Sequence, residues 1–351
     1  MACVVTGWDI GGANVKAARI RLDGGIPVLL SARTEPFELW KRPEALPDVL
    51  AGVASQIGGT AAVALTMTAE LCDCFPTKRD GVRFVLEAAG RALPDVGMWI
   101  LTNSGRWLTG RDALRAPLQV AAANWVATGT LAGIRYTDTV LIDVGSTTTD
   151  IVPVVAGRVR ARGRTDPSRL ASGELIYTGA LRTDVAAIVR RLPLRGRWVG
   201  VAAERFAIAG DVHLVLGALK PEDYACEPPD NGERSVAGAR RRLARLVCAD
   251  EELLTSGQID DLARFACHRQ VVIIAEGLAQ VLSTMSPRPH TAVVTGLGAF
   301  LAKTAADACG LRAVDLGDAL GLPDAAPLSA VAVAWLLARW LEGSDLRGRP
   351  P

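Results

Sequence analysis

Val4-Val5-Thr6-Gly7-Trp8-Asp9-Ile10-Gly11-Gly12-Ala13-Asn14-Val15-Lys16, close to the start of the 351-residue chain, reads as an apolar strand, a tight turn and a second strand. Val140-Leu141-Ile142-Asp143-Val144-Gly145-Ser146-Thr147-Thr148-Thr149-Asp150-Ile151-Val152 repeats the design. Each turn carries an Asp-x-Gly and short or hydroxyl side chains. Glycine lets backbone approach an anion closely, and successive N–H groups at such a turn form a nest for phosphate oxygens. An aspartate cannot hold phosphate itself; its natural partner is a divalent cation bridging to that phosphate. One Asp-x-Gly turn decides little. Two, about a domain's length apart, indicate a duplicated fold that holds phosphate between its halves.

Further along the chain, Thr291-Ala292-Val293-Val294-Thr295-Gly296-Leu297-Gly298-Ala299-Phe300 reads as a strand, a glycine turn and a helix. Alone, Gly296 and Gly298 fit any strand-to-helix turn. Strand and helix signals alternate elsewhere, as an α/β architecture requires. Strands are expected at Pro27–Ala32, Ala61–Thr66 and Met98–Thr102, and helices at Ala45–Ile57, Asp80–Leu93 and Ala121–Ala132. The Pro- and acid-rich stretch from Pro221 to Glu233 reads as a loop. Helices are expected at Val236–Val247, Asp250–Ala266 (interrupted by Gly257), Arg269–Met285 and, apolar and Trp-bearing, Leu328–Leu341.

The length predicts two domains, 1–135 and 136–351, and half of the residues are apolar, enough for two cores. A net charge of +2 with interspersed signs asks for no nucleic-acid partner. The basic run Arg240–Arg245 reads as a solvated helix face. Seven cysteines, an odd number, fit a reducing compartment, and Cys72 and Cys74 lack the second pair a structural zinc site needs. Three histidines, none at ligand spacing to another, argue against a zinc enzyme. The Leu328–Leu341 stretch is too short to span a bilayer and contains Arg339. A cytoplasmic protein acting on small molecules, without membrane or nucleic acid, is expected; a homodimer is left open.

The three motifs in order resemble the phosphate-1, phosphate-2 and adenosine motifs of the superfamily of actin, the Hsp70 ATPase domain and sugar kinases. That implies a two-lobed, actin-like ATPase fold of duplicated ribonuclease H-like domains, with the phosphate site in the interlobe cleft. Further stretches sharpen the resemblance: Leu65-Thr66-Met67-Thr68-Ala69-Glu70-Leu71, Phe75-Pro76-Thr77-Lys78-Arg79-Asp80-Gly81-Val82 and Ala123-Asn124-Trp125. Together with the hairpins they are similar to the hydantoinase/oxoprolinase-related proteins linked to tetrahydromethanopterin-dependent one-carbon transfer. The resemblance implies a transferase of methanofuran or methylofuran biosynthesis. It would join an aminomethylfuran diphosphate to the phenol of a γ-glutamyltyramine-like or tyrosine-derived acceptor, releasing pyrophosphate.

On that reaction Asp9 and Asp143 would hold a metal, with magnesium the expected ion. Gly11, Gly12, Asn14, Gly145, Ser146, Thr147 and Thr148 would contact phosphate, together with Gly296 and Gly298. Lys16 would reach a phosphate oxygen or else lie on the strand surface. The phenol, with an unperturbed pKa of about 10, needs a base or a cation. Glu70, Asp73 and Lys78 are the candidates, each also readable as a cap or a structural ion pair. Asn124 is a candidate substrate contact, and Trp125 reads as packing. The competing class is an ATP-dependent small-molecule kinase or oxoprolinase-type hydrolase using the same motifs for ATP, so ATP binding stays open. A nucleotide switch is a third reading.

Overall fold

The computed structural model describes residues 4–93 and 97–343. Two six-stranded sheets organise the chain. The first runs in the order β3-β2-β1-β4-β5-β6, built from β1 (Val5–Ile10), β2 (Asn14–Asp23), β3 (Ile26–Pro36), β4 (Ala62–Met67), β5 (Met98–Leu101) and β6 (Trp107–Thr109). β1 is central and wholly buried, which suits its mix of β-branched and aromatic residues. It pairs antiparallel with β2 and parallel with β4.

The second sheet comprises β7 (Thr139–Val144), β8 (Thr149–Val155), β9 (Arg158–Val159), β10 (Leu175–Ile176), β13 (Thr291–Thr295) and β14 (Arg312–Asp315). Its order is β10-β8-β7-β13-β14, with β9 beside β8. Each sheet therefore places a hairpin, β1–β2 or β7–β8, next to two later strands, which is the duplication expected from the repeated Asp-x-Gly turns. A separate hairpin joins β11 (Arg191–Leu194) to β12 (Arg197–Gly200).

Two compact units result. The first takes the described parts of Met1–Leu141, Val152–Ser168 and Asp315–Pro351; the second takes Ile142–Ile151 and Arg169–Val314. A single boundary near 135 does not express this grouping, because helix Leu328–Leu341 packs on β1, β2 and β4. Its neighbour there is Gly7: a Cβ at that position would lie 2.0 Å from the Ala330 carbonyl oxygen, so only glycine allows the helix so close.

Local details depart from expectation for identifiable reasons. The two helices expected over 250–285 are one, Ser256–Leu282, opened by a Thr255–Gln258 capping box. Gly257 falls in its first turn, where it breaks nothing. The strand expected at Pro27–Ala32 lengthens to Ile26–Pro36 because β2 pairs along all of it, with a register shift at Arg19/Ile20. Helix Asn124–Arg135 starts three residues late because Ala122 takes φ 47°. The run Arg240–Arg245 is not simply a solvated face. Arg242 is fully buried, its guanidinium 2.8 Å from Asp211, and the phenol of Tyr224 donates to the same carboxylate.

Candidate active site

The β1–β2 turn is closed by Gly11 N–H donating to the Asn14 carbonyl at 2.9 Å. The Gly12 and Ala13 carbonyls accept from Leu39 and Phe37. Among the described residues the Gly12 and Ala13 amides have no partner, so they are free to donate to an anion. A Cβ on Gly12 would meet Cys72 Sγ at 2.6 Å, and one on Gly11 would meet the Asn14 carbonyl at 3.0 Å. A side chain at Gly11 would press on backbone, and one at Gly12 would have to displace the Cys72 thiol.

Asp9 ends up buried on β1. Its Oδ2 accepts from the Ser329 hydroxyl at 2.6 Å and lies 3.6 Å from the half-exposed Lys16 ammonium. Its Oδ1 is buried with no partner. An orphaned carboxylate oxygen inside a protein is costly and suits a cation or a bound water. Among the described residues no three His, Cys, Asp or Glu side chains gather as a metal site. The donor set therefore fits magnesium only in the manner that ion favours, one carboxylate completed by waters and substrate oxygens.

β4 delivers the second cluster. Glu70, three residues beyond the strand, is 1% exposed. Gly81 of helix Lys78–Ala92 lies so close that a Cβ there would be 2.3 Å from the Glu70 carbonyl oxygen. Thr77 caps that helix and accepts from the Asp80 amide, which sets Lys78 at its first position. Lys78 Nζ lies 3.4 Å from Glu70 Oε1 and makes a short ion pair with Asp166. Glu70 Oε2 is buried without a partner. Burial pushes Glu70 up to about 7; Lys78 opposes that rise and Asp166 adds to it. Burial draws the Lys78 ammonium down, but the two carboxylates outweigh it and leave it above its ordinary value. Asp166 was missed from sequence. It lies 88 residues from Lys78 in a stretch that offers only a helix-start signal.

In the second unit, Gly145 N–H donates to the Thr148 carbonyl at 2.9 Å, closing the β7–β8 turn. The Gly145 and Ser146 carbonyls accept from the amides of Ala180, Leu181 and Arg182. Ser146 and Thr147 keep their own amides unbonded among the described residues. The 178–183 segment is pressed onto this turn: a Cβ on Gly179 would meet Thr147 N at 2.5 Å. Gln270 staples it there, its amide donating to Thr178 Oγ1 and to the Gly179 carbonyl while His213 Nε2 contacts its oxygen at 2.9 Å. Burial lowers His213 to about 4, so its ring is neutral.

The glycine turn after β13 also belongs to this group. Gly296 takes φ 89°, and a Cβ on it would lie 2.5 Å from Asp143 Oδ1. Gly298 N–H donates to the Val144 carbonyl at 2.8 Å. The sequence reading of Gly296 and Gly298 as phosphate contacts is thus accompanied by a packing reason for both.

Several sequence candidates are not gathered in. Asp73 is exposed. Asn124 opens its helix half-buried, and Trp125 is buried with its indole N–H donating to the Ala122 carbonyl at 2.8 Å, a packing role. Among the described residues no helix is long and apolar enough to cross a membrane.

The fold and its paired turns define the class: an actin-like ATPase and sugar-kinase fold. A solved acetone carboxylase, in its nucleotide-free state, superposes with a TM-score of 0.60 at 10% identity, over 99% of this chain and 71% of that one. The model of the hydantoinase/oxoprolinase family matches residues 61–342, and the chain belongs to that family. Two curated relatives carry the name (4-{4-[2-(γ-L-glutamylamino)ethyl]phenoxymethyl}furan-2-yl)methanamine synthase. The one from Methanocaldococcus jannaschii is 32% identical over 343 residues, 97% of this chain and 100% of the relative. The one from Methanococcus vannielii is 32% identical over 166 residues, 47% of this chain and 73% of the relative.

Proposed function

We propose that this chain is an aryl-ether synthase of methanofuran-type cofactor assembly, forming a phenoxymethylfuran amine of the kind its relatives are named for. The bond made joins the phenol oxygen of the acceptor to the furan CH₂ carbon. The bond broken joins that carbon to a diphosphate oxygen; pyrophosphate leaves with the electron pair, and the phenol proton goes to a base. The buried Glu70, with an orphaned oxygen and a pKa near 7 beside a lysine, carries this reading.

A carboxylate of that basicity is substantially ionised at neutral pH yet is a far better proton acceptor than an ordinary glutamate. A phenol near 10 still sits about three units above it, an uphill transfer of about 4 kcal/mol. The Lys78 ammonium reduces that gap by favouring the phenolate. The unbonded Gly12 and Ala13 amides donate to diphosphate oxygens, and Lys16 adds a cation beside the same turn. Magnesium, which Asp9 Oδ1 would hold together with waters, would neutralise charge on the leaving group. The furan carbon is already activated by its diphosphate, so the step needs no ATP.

The test incubates the protein with an aminomethylfuran diphosphate and γ-glutamyltyramine, assaying pyrophosphate, product and nucleotides. Pyrophosphate release that requires both substrates, and is lost in Glu70→Gln, supports the reading. Stoichiometric ADP formation from added ATP with either substrate overturns it.

A further inference from the structure

The second unit contains a cavity of about 370 Å³ that involves neither phosphate turn. Its lining is Ile188, Val189, Arg190, Arg191, Trp198, Phe265 and Arg269. The arrangement follows from local structure. A tight turn at Arg195 and Gly196, both at positive φ, folds β12 back on β11, so that Trp198 stands opposite Pro193. Phe265 and Arg269 sit one helical turn apart on Ser256–Leu282 and share a face.

The chemistry of the walls is divided. Ile188 and Val189 form a buried apolar floor. Trp198 and Phe265 meet edge to face, with ring centres 5.5 Å apart, and the Arg191 guanidinium lies 4.6 Å above the Trp198 ring. Trp198 nonetheless stays 54% exposed, an uncommon state for the largest side chain. Three arginines line one small space, none of them in an ion pair among the described residues and no carboxylate among the lining, with the Arg191 guanidinium over Trp198. Like charges gathered this way repel until an anion joins them, and guanidinium forks match carboxylate and phosphate oxygens. The volume lies within the range of small-molecule pockets.

We infer that this cavity is a binding site for a small planar aromatic anion, its ring laid against Trp198 and Phe265 and its carboxylate or phosphate held by Arg190, Arg191 and Arg269. The inference does not depend on the proposed reaction. Carboxylate and phosphate share the recognition chemistry, and the two probes separate them.

The experiment titrates the full-length protein with 4-hydroxybenzoate and with phenyl phosphate by calorimetry. Phenol and inorganic phosphate serve as probes lacking one half of the ligand. Saturable binding of at least one aromatic anion, weakened at least about tenfold in Arg191→Gln/Arg269→Gln and in Trp198→Ala, is expected. All three positions are exposed or half-exposed, and circular dichroism with thermal melting confirms folding. Binding of one probe only names the anion. Absence of saturable binding by either probe, equal binding of phenol or inorganic phosphate, or unchanged affinity in the folded variants would overturn the assignment.

Discussion

The Ser329 hydroxyl donates to Asp9 Oδ2 at 2.6 Å, joining residues 320 apart in sequence at the buried end of β1. The serine fixes which carboxylate oxygen is occupied and leaves Oδ1 for a cation. Ser329→Ala removes a buried bond to a charged acceptor and is expected to cost about 2 kcal/mol. Urea unfolding measures the loss. Asp9→Asn should keep the fold and lose most turnover, and a variant with full activity would remove Asp9 from the site.

Activity should follow the ionisation of Glu70. A base must be deprotonated, so kcat/KM is expected to rise through about pH 7. Lys78→Met removes the cation that holds this group down, and the profile should move to higher pH by about one unit. Asp166→Asn removes a charge that raises Glu70, and the profile should move the other way. A rise at the same pH in all three proteins would separate Glu70 from the titration.

The same group makes stability depend on pH. Its pKa in the folded protein lies above its ordinary value near 4.5, so the native state binds the proton more tightly. The resulting stabilisation is complete below about 4.5 and is lost as pH rises through about 7. Glu70→Gln should therefore melt higher than the parent at pH 8, where the parent carries a buried charge. Melting curves at pH 5 and pH 8 check both the sign and the window.

Gly7→Ala tests the contact between β1 and helix Leu328–Leu341. The added methyl would collide with the Ala330 backbone, which cannot rotate away, so a loss of about 3 kcal/mol or more is expected. Soluble yield and melting temperature report it.

Arg242→Met leaves the buried Asp211 carboxylate without its guanidinium. Removing one partner of such a pair costs about 3–5 kcal/mol. The double variant with Asp211→Leu should recover part of that loss. No recovery would mean that packing, not charge, dominates there.

What could be read from sequence follows from the range of the interactions. The turns at Gly11–Gly12 and Gly145–Ser146 and the glycine turn at Gly296 are local, and glycine spacing announces them. Glu70 and Lys78 stood out because they sit together after one strand. Asp166 and Ser329 did not, since their roles arise only when distant segments pack, and neither neighbourhood carries a chemical signal. Arg242 looked solvated because its neighbours Arg240, Arg241 and Arg245 are charged; only its helical phase points it at Asp211. Gln270 follows His268 and Arg269 and looks like one more polar residue of a helix, and its stapling of the 178–183 segment with His213 needs the tertiary fold.

The seating of helix Leu328–Leu341 against Gly7 and Asp9 has a consequence for biosynthesis. β1 leaves the ribosome some 320 residues before the helix that covers it. At roughly 5–20 residues per second that is an interval of tens of seconds. Throughout it a central strand that is buried in the folded protein lacks its cover, so the nascent chain presents a natural client for holding chaperones until that helix emerges.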